Sequence, residues 1–308
     1  MTRVSYWTTG SAALTALVML AIPACNEHGD IEARNPSPTP TQAVEKPTPS
    51  HDQTPPANAS TSDKAGRPVM VYLLAGQSNM VGSGTPKSDL PKELQAPQAD
   101  VEFYQAAGPG PLQENAWVPL QPGSTFDFGP EVTFGRSIAD RFPSERVALI
   151  KYAVGNTDLA RKWDPDTGQL YRAFAKTAKA GLKALADRGD TYEIAGMVWM
   201  QGESDSAYPE MAAAYETNLT ALIARVRRDF DVPDLPFVIG RIYIGVHKGF
   251  RNDKQVRTAQ AAVARRDGKA AWVDLDGLDQ QDAGVEFNGP GTVEMGKRFA
   301  EAMQRLRQ

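Results

Sequence analysis

Between residues 68 and 308, short continuous apolar runs alternate with longer stretches whose apolar residues recur at helical spacing. The first run, Val69-Met70-Val71-Tyr72-Leu73-Leu74-Ala75, has strand length and stops at Gly76, as a strand buried on both faces does. Similar runs occupy 147–150, 194–200, 237–240 and 271–273, and the helical pattern covers 132–141, 170–187, 208–230, 254–266 and 291–307. Strands alternating with helices of this length predict one three-layer α/β/α sandwich over 68–308, built on a five-stranded parallel sheet. Ligands of such sheets sit at the carboxyl ends of the strands. The segments to search are therefore 76–80, 155–157, 201–205, 244–247 and 274–288.

The first 67 residues follow neither pattern. Arg3 is the only charge before a mostly apolar run over 12–24 that ends at Cys25, which predicts an export signal too short for a comfortable membrane span. Ile22-Pro23-Ala24-Cys25 resembles a lipobox, with Pro23 an unusual occupant; the other reading is an ordinary secretory signal with an incidental cysteine. Cys25 is the only cysteine in the chain, so no intramolecular disulfide forms, and its place at the signal boundary fits lipidation. Residues 26–67 carry Pro36, Pro38, Pro40, Pro47, Pro49, Pro55 and Pro56 among Thr, Ser, Gln and Ala and no aromatic residue. Such a stretch cannot bury enough apolar surface to offset chain entropy and reads as a disordered tether. The expected location is outside the cytoplasm, on a bacterial membrane through a lipid at Cys25. A net charge of -4 with mixed signs gives no footing for nucleic-acid binding.

Ser78 lies just past the first strand, flanked by Gly76 and Asn79. Its hydroxyl is either exposed on a tight strand-to-helix turn or spent as a helix N-cap. The segment Gln201-Gly202-Glu203-Ser204-Asp205 again follows a buried strand. Its amide can donate to an oxyanion, and its carboxylates either serve the site or cap the next helix. Asp274, Asp276, Asp279, Asp282 and Glu286 crowd one segment; they do not follow the EF-hand spacing, and a solvated acidic loop explains them better than a hard cation. Tyr72, Trp117, Trp163, Trp199 and Tyr208 are either sugar-stacking surface or core.

Gly76-Gln77-Ser78-Asn79-Met80 followed by Gln201-Gly202-Glu203-Ser204-Asp205 resembles the sialate O-acetylesterase and carbohydrate acetylesterase group of the SGNH hydrolases. Lys151-Tyr152-Ala153-Val154-Gly155-Asn156-Thr157-Asp158-Leu159, Arg257-Thr258-Ala259-Gln260 and Phe287-Asn288-Gly289-Pro290-Gly291 extend the resemblance in the right order. It implies a flavodoxin-like SGNH fold, an acetylated carbohydrate as partner and no cofactor or metal. By the same resemblance, Ser78 is the nucleophile, and the N–H groups of Ser78 and Gly155 with the Gln201 side chain form the oxyanion hole. Gln77, Asn79, Asn156 and Glu203 then line the substrate site, and Asn156 stands where the family commonly has a second glycine.

The family's Asp-x-x-His-Phe motif is altered here. Gly284 and Phe287 align, which puts Ala283 on the aspartate and Glu286 on the histidine. A carboxylate with a pKa near ~4.3 is a poor base for serine unless burial raises it. The chain has three histidines, His28, His51 and His247; only His247 lies at a strand's carboxyl end, as a substitute base or a solvent-exposed loop residue. The residues thus support a serine O-acetylesterase with an altered base or a non-catalytic glycan-binding relative, and a structural lipoprotein less well. Ser78, Gly155 and Gln201 separate the first two from the third.

Overall fold

The structure, a computed structural model, describes residue 64 and residues 66–105, 115–123, 127–245, 247–282 and 284–308. The expected export signal, Cys25, nearly all of the expected tether and Ala283 lie outside the described residues.

The first apolar run forms β1 (Val69–Gly76) at the centre of the sheet, paired in parallel with β4 (Arg146–Ala153) on one side and β5 (Tyr192–Met200) on the other. With both neighbours in place, every residue of β1 except Met70 is buried, which is why the run shows no polar alternation. Beyond β5 follow β6 (Phe237–Arg241) and β7 (Ala270–Asp274), also parallel.

Among the described residues the sheet has seven strands, in the order β3-β2-β4-β1-β5-β6-β7, and not five. The α/β/α class stands. The two extra strands are β2 (Gln98–Gln105), parallel to β4, and β3 (Trp117–Leu120), antiparallel to β2 at the edge. β2 opens on Gln98-Ala99-Asp100, two of them exposed, and β3 is four residues long with Pro119 inside it. Proline belongs on edge strands, where a missing donor costs no ladder bond, so neither segment carries the apolar run that marks the centre.

Adjacent residues of a strand point to opposite faces. Leu149 of β4 packs on Gly135 of α2 (Glu131–Arg141), and Ile150 on Gly181 of α3 (Gln169–Asp187). These two helices therefore lie in different layers. The last helix, α7 (Gly289–Arg307), packs beside α2. In the other layer, α5 (Pro209–Asp229) packs on α6 (Asp253–Asp267), and Phe230 just after α5 meets Phe174 of α3 at 6.1 Å between ring centroids. Tyr72, Trp163 and Trp199 are core residues and Trp117 is partly buried, which leaves Tyr208 as the exposed member of that aromatic set.

After β1 the chain forms β2, β3 and then β4 on one side, and returns across β1 to β5 on the other. A crevice opens at such a reversal, and residues 76–80 and 201–205 stand at its two lips. Beneath them a buried ion pair joins Lys151 of β4 to Glu131 of α2, 2.6 Å apart. Lys151 also donates to the Val81 carbonyl at 3.2 Å, and Glu131 accepts from the Gly129 N–H at 3.0 Å. Burial lowers the Lys151 pKa and Glu131 opposes that fall.

Candidate active site

Two glycines let the strand ends meet. Gly76 has φ 155°, and a Cβ there would lie 2.0 Å from the Met200 carbonyl oxygen; Gly202 has φ 148° and sits against Val256 and Ile242. Positive φ and missing side-chain space both demand glycine. The Gln77 N–H then donates to the Met200 carbonyl at 2.9 Å, closing the first lip on the second.

Ser78 opens a single helical turn, α1 (Ser78–Val81), whose N-cap is Gln77 with no side-chain cap bond. The Ser78 hydroxyl is thus not spent as a cap. Gly155 lies beside it: a Cβ on Gly155 would be 3.6 Å from the Ser78 Cβ. Among the described residues, the backbone N–H groups of Ser78 and Gly155 have no acceptor. Asn156 follows with φ 55°, the left-handed region that Asn tolerates better than most residues, so a second glycine is not required for the turn.

Glu286 reaches Ser78 from the loop before α7. Burial raises its pKa, and the Ser78 side chain beside it opposes the rise. Asn79 holds that loop: its Nδ2 donates to the Val285 carbonyl at 3.1 Å, and its Oδ1 accepts from the Phe287 N–H at 3.0 Å. The same Nδ2 donates to Glu203 Oε1 at 2.7 Å. Glu203, in the short helix α4 (Glu203–Ser206), is 1% exposed. Burial pushes its carboxyl up to about 7, with the nearby Glu286 adding to the rise. Oε2 of Glu203 and Oε2 of Glu286 are both buried without a hydrogen-bond partner.

Gln201 and Asp205 form a different kind of cluster. Gln201 Nε2 donates to the Thr157 carbonyl at 2.9 Å and to Asp205 Oδ2 at 2.6 Å, and its Oε1 accepts from the Tyr215 hydroxyl at 3.1 Å. Asp205 also accepts from the N–H groups of Leu159 at 2.8 Å and Ala160 at 3.0 Å. Gln260 closes the network, donating to the Gln201 and Gly240 carbonyls and accepting from the Ile242 N–H. Burial raises the Asp205 carboxyl to about 6 against its hydrogen bonds with Leu159 and Gln201.

Residues 68–305 match the family described as carbohydrate esterase, sialic acid-specific acetylesterase. The chain belongs to that family. It is 26% identical over 255 residues to a probable carbohydrate esterase of Arabidopsis thaliana, covering 76% of this chain and 90% of the relative. An X-ray structure of an Arabidopsis thaliana protein has the same fold, with TM-score 0.64 and 24% identity over 77% of this chain and 98% of that one. A carbohydrate acetylesterase from Xanthomonas citri superposes with TM-score 0.54 and 17% identity, over 77% of this chain and 56% of the other. As the motifs implied, the domain is a sialate O-acetylesterase-type carbohydrate esterase with the SGNH fold, a family of carboxylic ester hydrolases.

Set against the roles the resemblance implies, the geometry brings Ser78, Gly155 and Glu286 together and corrects the others. Both amide protons of Gln201 are committed to Thr157 and Asp205, so no donor remains to serve an oxyanion. Gln77 and Asn79 are 2% and 3% exposed; Gln77 accepts from the Ser204 hydroxyl at 3.1 Å, and Asn79 is a bracket between loops. With Glu203 also buried, only Asn156 among the four expected substrate contacts is exposed. His247 is exposed; its Nδ1 accepts from the Gly249 N–H at 3.0 Å, its ring meets Phe250 at 4.8 Å, and it makes no hydrogen bond to Ser78. The carboxylates of α4 do not cap it: the N-cap is Gly202, and Asp205 holds the 159–160 backbone instead. In the acidic loop, Asp274 and Asp276 pair with Arg241 and Arg257. The sequence places Lys151 only at the head of a block that resembles the family and gives no sign of its pairing with Glu131.

Proposed function

We propose that this carbohydrate esterase removes acetyl groups from a glycan through an acetyl-serine intermediate on Ser78, with Glu286 as the base. The observation that carries this reading is the placement of Ser78 between the half-buried carboxylate of Glu286 on one side and Gly155 on the other. A carboxylate at its ordinary pKa is too weak to take a proton from serine, and burial moves Glu286 toward the useful range. The free N–H groups of Ser78 and Gly155 are the donors that remain for the carbonyl oxygen as it becomes an oxyanion.

Ser78 Oγ attacks the acetyl carbonyl carbon while its proton passes to Glu286, and the carbonyl electron pair moves onto the oxygen. Collapse expels the sugar oxygen, which leaves as a hydroxyl with the proton from Glu286. Water repeats the sequence on the acetyl-serine and releases acetic acid. In the same reading, residues 1–25 are a lipoprotein signal, residues 26–67 a tether, and Cys25 the lipid anchor that holds the 68–308 domain to a bacterial membrane outside the cytoplasm. Radiolabelled palmitate incorporation that vanishes in Cys25→Ala tests the anchor.

The loss of the Gln201 donor and of the histidine favours the second reading, a glycan-binding relative without turnover. Acetate release from acetylated xylan by the purified protein and by Ser78→Ala decides between them. Turnover lost in the variant supports the esterase; no Ser78-dependent release with retained glycan affinity supports the binding protein.

A further inference from the structure

Resting on the esterase reading above, we infer that Glu203 and Glu286 work as one acid pair, in which Glu203 keeps a proton on Oε2 and donates it in a hydrogen bond to Oε2 of an ionised Glu286. Glu286 is the group that exchanges a proton with Ser78; Glu203 is its positioning residue.

The atoms assign these roles unequally. Glu203 Oε1 accepts from Asn79 Nδ2 at 2.7 Å, so it is the carbonyl-like oxygen of a neutral acid and Oε2 is the place for the proton. That Oε2 is buried with no partner, and so is Oε2 of Glu286. Two buried acceptors without donors each carry a desolvation cost, and one proton between them satisfies both at once. Asn79 sets the alignment, because one side chain grips Glu203 and the backbone on either side of Glu286, at Val285 and Phe287. The Glu286 charge acts on the fully buried Glu203, and two such neighbouring carboxylates resist joint ionisation.

The groups facing this pair agree with the assignment. Asp205 on α4 is an acid and Tyr215 on α5 a buried phenol whose pKa burial raises well above the ordinary value, and both interact with Glu203. From α1 come only the neutral Asn79 and Ser78. No cation faces Glu203 or Glu286 among the described residues, so a proton is the available neutraliser.

Turnover balances without a further reactant. Glu286 accepts the Ser78 proton and returns it to the sugar oxygen, while Glu203 keeps its own proton throughout. When Glu203 ionises, the pair gains a second negative charge close to the forming oxyanion, and the rate falls. The working state holds one proton, which makes the pH dependence of kcat/KM bell-shaped, rising as Glu286 ionises and falling as Glu203 does.

The test is the pH profile of acetate release from acetylated xylan by the full chain, Glu203→Gln, Glu203→Ala and Ser78→Ala. Glutamine is shaped like the neutral acid, keeps the Asn79 bond and still donates to Glu286, but cannot ionise. The expected result is an alkaline fall abolished in Glu203→Gln, and Glu203→Ala down by at least about tenfold near ~pH 6. Infrared titration of the purified proteins reads the proton independently: a buried carboxylic acid band persists at neutral pH in the parent and is lost in Glu203→Gln. Ser78-dependent turnover with an unchanged alkaline limb in Glu203→Gln, or a parent without the acid band, overturns the pair and leaves the esterase. Absence of Ser78-dependent turnover overturns the esterase reading and the catalytic pair with it.

Discussion

Two buried polar clusters meet at the carboxyl end of this sheet, and they differ in how completely their hydrogen bonds are made. Around Gln201 and Asp205, every side-chain polar atom has a partner, and the bonds tie β5 to the loop at 157–160, to Tyr215 and to Gln260. Around Ser78, two carboxyl oxygens have none. A satisfied network fixes its side chains and leaves no polar atom over. The incomplete one keeps carboxyl oxygens free beside the serine, where a proton can be exchanged.

Substitutions that affect one cluster and spare the other test this contrast. Glu286→Gln removes the base, and kcat for acetate release should fall by about 10²–10⁴-fold, the usual worth of general-base assistance. Its urea unfolding midpoint should stay close to that of the parent, because no satisfied network is broken. Asp205→Ala strands the N–H groups of Leu159 and Ala160 and the Gln201 amide. At about 1–3 kcal/mol for each unsatisfied buried donor, partly relieved by water, the unfolding free energy should drop by about 3 kcal/mol in urea titration. A loss of rate without loss of stability at Asp205 would contradict its reading as a strut.

The pH dependence of stability reads both clusters, because burial also raises Asp205, from 3.8 to about 6. Burial lifts Glu203 from 4.5 to about 7, so the folded chain binds this proton more tightly than the unfolded one. Stability from this group is complete below the unfolded value and is lost as pH rises through about 7. At about 1.4 kcal/mol per pKa unit the loss is at most about 3 kcal/mol. Urea titrations near ~pH 5 and ~pH 8 should show that decline in the parent and a smaller one in Glu203→Gln. The smallest effect is expected at His247: with its ring bonded inside its own loop, His247→Ala should change kcat/KM by less than about twofold, well below any general-base contribution.

The central strands were legible because burial on both faces leaves nothing but apolar residues, as in β1 and in β5 from Ile194 onward. The edge was not, since β2 alternates with exposed polar positions and β3 is a four-residue strand interrupted by Pro119. For the site, spacing after the strands and the resemblance pointed to Ser78, Gly155 and Glu286, which the fold brings side by side. It could not tell where amide protons go, and Gln201 was read as a free donor when both of its protons are held by Thr157 and Asp205. Glu203 shows the same limit. A carboxylate at the head of a short helix reads as a cap or a ligand contact, and only the fold brings Asn79 and Glu286 beside it. The buried Lys151–Glu131 pair joins residues on separate elements, a relation that no local pattern encodes.

Acetate release from acetylated xylan, compared among the parent, Ser78→Ala and Glu286→Gln, bears most directly on the claim that a carboxylate activates this serine. The account predicts turnover that falls by at least about 10⁴-fold in Ser78→Ala, as removal of a nucleophile does, and by at least about 10²-fold in Glu286→Gln. Turnover that depends on Ser78 but is undiminished in Glu286→Gln would contradict it and place the base elsewhere.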